Sequence, residues 1–150
     1  MAEKFSLQPL LDLSNLRMDE AAKKLGALIT GERAAAERLQ LLSDYRDEYH
    51  ARFLAAAQTG LRPDEWQNYS NFLGRLDEAI GQASEMLNQS QRSTKAGQEE
   101  WLTKRGKVKA FDTLAERHEV RVQHKEARQE QKNSDEHAAR GRQMNQQESD

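Results

Sequence analysis

The chain has 150 residues, of which 36% are hydrophobic, 32% charged and 6% aromatic. This composition excludes a thick hydrophobic core and favours a protein that buries one narrow seam. The formal net charge of −2 gives no overall attraction to nucleic acid or anionic lipid, and the absence of cysteine excludes disulfides and thiolate chemistry. Residues 1–16 lack the features of a signal peptide, and no stretch reaches the roughly 18 apolar residues that span a bilayer. We therefore expect a soluble, cytoplasmic protein.

The first predicted helix covers about residues 7–57. Ser6 can cap its N-terminus, and Pro9 is tolerated in a first turn, where its missing N–H has no acceptor. From Leu11 to Phe53 the a and d positions of a heptad repeat are mostly apolar, which is the pattern of a coiled-coil helix.

A turn is predicted at residues 58–64, followed by a second long helix from residue 65. Gly60 suits the end of one helix and Pro63 the start of the next. Every seventh residue from Trp66 to Val122 is apolar except Thr94. Because so short a connection makes consecutive helices antiparallel, the predicted fold is all-α, a long antiparallel two-helix coiled coil.

The heptad phases also predict the register of this hairpin. In an antiparallel coiled coil each a residue shares a layer with a d residue of the other helix, and the paired residue numbers then add to 122. This register places large side chains opposite small ones, which keeps the layers nearly constant in volume. The layers include Ala56 with Trp66, Phe53 with Tyr69, Leu25 with Gly97 and Ala21 with Trp101.

The hairpin is predicted to occupy residues 1–115, leaving residues 116–150 as a polar helical extension with a flexible tail. Helix propensity is good to about Lys132, but Asn133, Ser134, Asp135 and Gly141 then weaken it. We expect the extension to fray into a disordered tail beyond this point.

The sequence contains no pattern of catalytic or metal-binding residues. It has no glycine-rich phosphate-binding loop, and its four histidines have none of the spacings typical of metal ligands, which favours solvated helix positions for them: His50, His118, His124 and His137. We therefore predict a protein that is not an enzyme and has no catalytic residues, no cofactor and no metal.

One short basic segment lies in the second helix, and its cations are Lys104, Arg105, Lys107 and Lys109. It is either a solvated face of the coil or a contact with an acidic protein surface. Nucleic acid is the least favoured partner, because the rest of the chain is slightly acidic and no aromatic platform accompanies the segment.

An aromatic flank near the turn is the most informative local feature. Tyr45 and Phe72 fall at g positions, outside the seam, although both are large and aromatic. In an antiparallel pair the g and d positions of both helices share one side of the hairpin, and this side carries Leu42, Tyr45, Tyr49, Phe72, Leu76 and Ala79. The flank is either a binding surface or a local thickening of the core.

The run LSDYRDEYHARF, followed by WQNYSNFLGRLDEAI and preceded by a helical start at residues 19–26, resembles the FliJ family of bacterial flagellar export proteins. The resemblance is best over residues 19–114. It implies an antiparallel two-helix coiled coil, similar to the stalk subunit of rotary ATPases, in the flagellar type III export apparatus. It also implies a monomeric, cytoplasmic protein, held at the cytoplasmic face of the inner membrane at the flagellar base by protein partners.

The partners that the resemblance implies are the hexameric export ATPase, the cytoplasmic domain of the export gate and the flagellar export chaperones. The gate-binding surface would be the aromatic flank, whereas the ATPase ring would meet the basic segment. At two further positions this chain departs from the family, with Arg38 in place of Gln and Ala83 in place of His. Two alternatives stay open: the equivalent stalk of a non-flagellar type III secretion system, and a generic coiled-coil adaptor.

Overall fold

The computed structural model describes residues 3–149, which form two α-helices joined by a short link. Helix α1 spans Gln8–Thr59 and helix α2 spans Pro63–Ser149, and the described residues contain no strand. The predicted all-α helical hairpin is therefore confirmed. No helix within residues 3–149 is both long enough and apolar enough to cross a membrane.

The link is shorter than predicted, because α1 continues beyond residue 57 and α2 begins before residue 65. At the end of α1 the Thr59 hydroxyl donates to the Ala56 carbonyl at 3.0 Å, and the Gly60 N–H donates to the Ala57 carbonyl at 3.3 Å. Gly60 has a φ of 96°, a left-handed conformation that costs least for glycine. These bonds satisfy carbonyls at the end of α1 and let it run to Thr59.

Helix α2 starts at its proline for a related reason. Pro63 has no N–H to leave unpaired in a first turn, and the Trp66 N–H donates to the Arg62 carbonyl at 3.0 Å. Asp64 and Glu65 place negative charge at the helix N-terminus, where it is favourable. Only residues 60–62 remain between the two helices.

The chain divides into two compact units: residues 18–104, the hairpin unit, and residues 3–17 with 105–149, the terminal unit. In the hairpin unit the predicted register is confirmed by contacts whose residue numbers add to 122. The Phe53 and Tyr69 rings lie 5.4 Å apart. The Thr94 hydroxyl donates to the Leu28 carbonyl at 3.4 Å, and a Cβ built on Gly97 would lie 3.7 Å from a Leu25 methyl carbon.

The seam of the hairpin unit is narrow, as the composition indicated. Its buried side chains are Ala21, Phe53, Leu76 and Ala83, and no side chain in the described part of the chain is fully buried. Polar seam residues keep their charged ends in water: Arg46 is half-buried, and its guanidinium donates to the carboxylate of Asp77. This hydrogen bond, with the charge attraction that accompanies it, raises the pKa of Arg46.

The terminal unit has its own small seam, in which Leu11, Val108 and Val122 are buried. Beyond Val122 every described residue of α2 is exposed, yet the helix continues to Ser149. The expectation of a disordered tail beyond Lys132 is thus not what the structure shows. The chain has no proline after Pro63, and polar side chains bond one turn ahead, for example Gln129 to Asn133 at 3.2 Å, so nothing in this stretch conflicts with helical geometry.

Candidate functional site

Six aromatic rings form a continuous series where the two helices of the hairpin unit approach their link. We call this series the aromatic ladder, and its members in order of contact are Tyr45, Phe72, Tyr49, Tyr69, Phe53 and Trp66. The distances between successive ring centroids are 6.2, 4.4, 5.4, 5.4 and 5.0 Å. Successive rings come from opposite helices, so the ladder ties α1 to α2 at each step.

The rings at the two ends of the ladder are the exposed ones. Tyr45 is 46% exposed and Trp66 is 51% exposed, whereas Phe53 is only 9% exposed. Tyr45 meets Phe72 edge to face, with an angle of 79° between the ring planes, which is a favoured geometry for aromatic pairs. The inner rings therefore hold the outer rings in place, and Tyr45 presents a fixed apolar surface to solvent.

The residues predicted from the flank do not all lie on the surface. Leu76 is only 7% exposed and belongs to the seam. Leu42, Tyr49, Phe72 and Ala79 are half-buried. The structure thus brings Tyr45, Tyr49 and Phe72 together through ring contacts, while Leu76, one turn of α2 after Phe72, is buried in the seam. A binding role for this flank stays a prediction.

Trp66 was expected to face Ala56 within the seam, but the seam covers only part of it. The indole packs on the Phe53 ring, and half of its surface is open to solvent. Trp66 lies in the first turn of α2, at the level where α1 ends at Thr59, so α1 offers little further surface to cover a side chain of this size. Trp66 is the first residue of the heptad column of α2 and lies next to the link. This position in the sequence already indicated that α1 would cover it only in part.

The four cations of the basic segment do not share one face of α2. Successive helix residues are rotated by about 100°, which places Arg105 and Lys109 on one side and Lys107 nearly opposite. These three residues are exposed, whereas Lys104 is half-buried. A contact with an ATPase ring through this segment stays a prediction. The ring would have to surround the helix, because the cations do not lie on one side of it.

His118 departs from the solvated position predicted for it. One nitrogen of its imidazole, Nε2, lies 3.0 Å from the Glu3 carbonyl oxygen, and the Phe5 ring lies 5.5 Å from the imidazole. Sequence reasoning missed this contact because residues 3–5 precede the heptad repeat and carry no periodic signal. No group of three or more metal-ligating side chains lies close together within the described range.

A salt bridge strengthens the same contact between the N-terminal residues and α2. The Lys125 ammonium lies 2.7 Å from a carboxylate oxygen of Glu3. The hydrogen bond and the charge attraction between them lower the pKa of Glu3 and raise the pKa of Lys125. We call Glu3, Phe5, His118 and Lys125 the N-terminal clasp.

Fold and surface together define a class: a coiled-coil helical hairpin that presents an ordered aromatic surface. Comparison with known proteins gives the family, since the family model described as "Flagellar FliJ protein" matches residues 3–147. The flagellar FliJ protein of Escherichia coli (strain K12) is 34% identical over 140 residues, which cover 93% of this chain and 95% of that protein. That of Salmonella typhi is 32% identical with the same coverage. This chain belongs to the FliJ family.

Proposed function

We propose that this protein is a non-catalytic stalk of the bacterial flagellar type III export apparatus, which binds the hexameric export ATPase, promotes its assembly and couples it to the export gate and to substrate chaperones. Family membership supports the coarser part of this statement, a component of flagellar protein export. The observation that carries the finer part is the aromatic ladder. It orders Tyr45, Tyr49 and Phe72 on the flank that the family resemblance assigns to the gate.

The ladder favours gate binding because it fixes its outer ring before a partner arrives. An exposed tyrosine that is free to rotate loses conformational entropy on binding, whereas packing on Phe72 already restricts Tyr45. Aromatic side chains also contribute much of the binding energy at protein interfaces. A rigid aromatic edge beside half-buried Leu42 and Ala79 is therefore suited to insertion into an apolar cleft of a partner.

Binding to the ATPase ring would use the other part of the chain. A coiled coil that enters a ring is an asymmetric shaft, so ring and shaft can bias each other's conformations if their contacts differ between states. The cations at Lys104, Arg105, Lys107 and Lys109 point in several directions around α2 and would meet acidic side chains on more than one ring subunit. Through these protein partners the chain would be held at the cytoplasmic face of the inner membrane.

The test of gate binding is the double substitution Tyr45→Ala with Phe72→Ala, measured by calorimetry against the purified cytoplasmic domain of the export gate. We expect binding to weaken at least about tenfold, because two aromatic contacts of about 1 kcal/mol or more are lost. The control is Leu41→Ala with Met86→Ala, which removes two apolar side chains that are 70% and 59% exposed but lie outside the ladder. The control should bind like the wild type.

Because Phe72 is half-buried, Tyr45→Ala alone provides a second variant that leaves the seam intact. Unchanged gate binding by a folded Tyr45→Ala protein would contradict the proposed surface. Loss of helicity in the double variant together with normal binding by the single variant would show that the flank is a thickened core.

The proposed ATPase contact has a separate test, namely the rate of ATP hydrolysis by the export ATPase with and without this protein. Reversing two exposed charges, Lys107→Glu with Lys109→Glu, should reduce the stimulation while gate binding is retained. Stimulation that survives the charge reversal would contradict the assigned contact.

The oligomeric state separates the stalk from the alternative of a coiled-coil adaptor. Sedimentation of the isolated protein should show a monomer, and a stable dimer would instead support an adaptor.

A further inference from the structure

Charged side chains in residues 112–132 of α2 are separated onto two opposite faces of the helix. At about 100° per residue, each group occupies an arc of about 80°, and the centres of the two arcs lie nearly opposite one another. The basic stripe consists of Arg117, Arg121, Lys125, Arg128 and Lys132. The acidic stripe consists of Asp112, Glu116, Glu119, Glu126 and Glu130.

This separation leaves the helix without the ion pairs that usually support an exposed helix. Within residues 112–132 no opposite charges are spaced three or four residues apart, whereas like charges are. Arg117 and Arg121 are four residues apart, as are Arg121 and Lys125, and Arg128 and Lys132. Like charges at this spacing destabilise a helix, and opposite charges stabilise it. The hairpin unit shows the usual arrangement, since Glu48 and Arg52 form such a pair at 2.9 Å.

The cations of the stripe are exposed, and most form no ion pair with another described residue. In the range 3–149, Lys125 is the one member that forms an ion pair, with Glu3. Arg121, Lys125, Arg128 and Lys132 line one shallow groove with Val120, which is 64% exposed. Apart from the pair between Lys125 and Glu3, the repulsion along the stripe is therefore not relieved by other described residues of this unit. An anionic partner lying along the helix would relieve it.

We propose that the basic stripe is a docking surface for an acidic helix of a partner protein. The cations repeat at intervals of three and four residues over about 22 Å of helix, taking about 1.5 Å per residue. A second helix with carboxylates at the same intervals presents the complementary charge along the same length. Val120 beside the stripe adds an apolar contact. This surface is separate from the aromatic ladder, and the inference does not depend on gate binding.

Other anionic partners match the stripe less well. A lipid surface would gain little from apolar insertion, because the exposed apolar residues near the stripe are limited to Leu114 and Val120. Single-stranded nucleic acid is usually held by large aromatic side chains on which bases stack, and residues 112–132 contain no Phe, Tyr or Trp.

The test uses the full chain and two synthetic helical peptides of identical composition. One peptide carries glutamates at intervals of three and four residues, so that they align on one face, and the other distributes them around the helix. Binding is measured by fluorescence anisotropy at low and high salt. We expect the aligned peptide to bind at least about tenfold more tightly than the distributed one, with a difference that shrinks as salt is raised.

The diagnostic variant is Arg121→Glu with Arg128→Glu, which should weaken binding of the aligned peptide at least about tenfold. A carboxylate at position 121 would lie four residues from both Arg117 and Lys125, and one at position 128 four residues from Lys132. The variant should therefore melt at an equal or higher temperature than the wild type. Binding and helix stability are thus expected to change in opposite directions, which misfolding cannot produce.

The control variant is Arg140→Glu with Arg142→Glu, which makes the same change in net charge on the same helix, beyond the stripe. It should bind the aligned peptide within about twofold of the wild type. Equal binding of both peptides would overturn the proposal, as would equal losses in the two variants. Tighter binding to vesicles containing phosphatidylserine than to the aligned peptide would also overturn it and would assign the stripe to a membrane.

Discussion

Two regions of this protein form α-helix for different reasons. Around the aromatic ladder, side chains of α1 and α2 hold one another through ring contacts and a buried seam that includes Phe53 and Leu76. In residues 126–149 every side chain is exposed, so the helix there depends on backbone hydrogen bonds and on contacts one turn apart. A substitution in the first region should therefore change the free energy of unfolding, whereas one in the second should change local helicity.

The difference also indicates how each region recognises a partner. The ladder presents an aromatic edge whose position is fixed by tertiary contacts. The basic stripe presents charge whose position is fixed only by helical geometry. Binding at the ladder should depend weakly on salt, and binding at the stripe should depend on it strongly.

The largest effect that separates the two regions is expected from Phe53→Ala. Phe53 is 9% exposed and contacts the rings of Tyr69 and Trp66, so its removal leaves a gap in the seam. We expect a loss of about 3 kcal/mol in the free energy of unfolding, measured with urea and followed by tryptophan fluorescence. The matched substitution in the extension is Met144→Ala, where the side chain is 63% exposed. It should change stability by less than about 0.5 kcal/mol, and equal effects of the two substitutions would remove the distinction between the regions.

The same substitution at two glycines should give effects of opposite sign. A Cβ at Gly97 would lie 2.7 Å from a methyl carbon of Leu28, whereas nothing lies within 4 Å of a Cβ at Gly141. Gly97→Leu should overpack the seam and cost about 2 kcal/mol. Gly141→Leu should raise the helical content of the extension, because leucine has the higher helix propensity by nearly 1 kcal/mol. Circular dichroism measures the helical content, and urea unfolding measures the change in stability. Stabilisation by Gly97→Leu would contradict the close packing around Gly97.

The smallest effect concerns the N-terminal clasp. The Lys125 ammonium lowers the pKa of Glu3, so the contact contributes stability above the ordinary carboxyl pKa of 4.5, and this contribution is lost as the pH falls through the lowered value. The pKa of Lys125 is raised above its ordinary value of 10.5. The contribution of the contact is therefore complete below pH 10.5 and is lost as the pH rises through the raised pKa. Once the intrinsic pH dependence of amide exchange is divided out, residues 3–7 should therefore lose protection from exchange when the carboxylate is protonated.

Glu3→Gln should show the faster exchange already at neutral pH and lose the dependence on acid. Glu130→Gln, an exposed carboxylate elsewhere in the same unit, serves as the control and should leave residues 3–7 unchanged. Protection of residues 3–7 that does not change with pH in the wild type would contradict the role of the salt bridge.

Much of the fold follows from the sequence, because the heptad spacing of Leu11 to Phe53 and of Trp66 to Val122 specifies two apolar seams with a defined phase. That phase predicted contacts such as Phe53 with Tyr69 and Leu25 with Gly97. It also identified Tyr45 and Phe72 as residues outside the seam, although it did not show that Tyr49, Tyr69, Phe53 and Trp66 join them in one series of rings. Contacts between rings depend on side-chain rotamers, and heptad positions do not specify rotamers.

The sequence by itself therefore determined the helical hairpin, its register and the separation of charge along residues 112–132, because each follows from periodic spacing along a helix. Only the tertiary structure decided that Trp66 lies half in solvent, that Leu76 of the aromatic flank is buried in the seam and that His118 contacts the N-terminal segment. These features depend on where a neighbouring helix ends and on contacts between residues far apart in the chain. Periodicity along one helix carries no information about either.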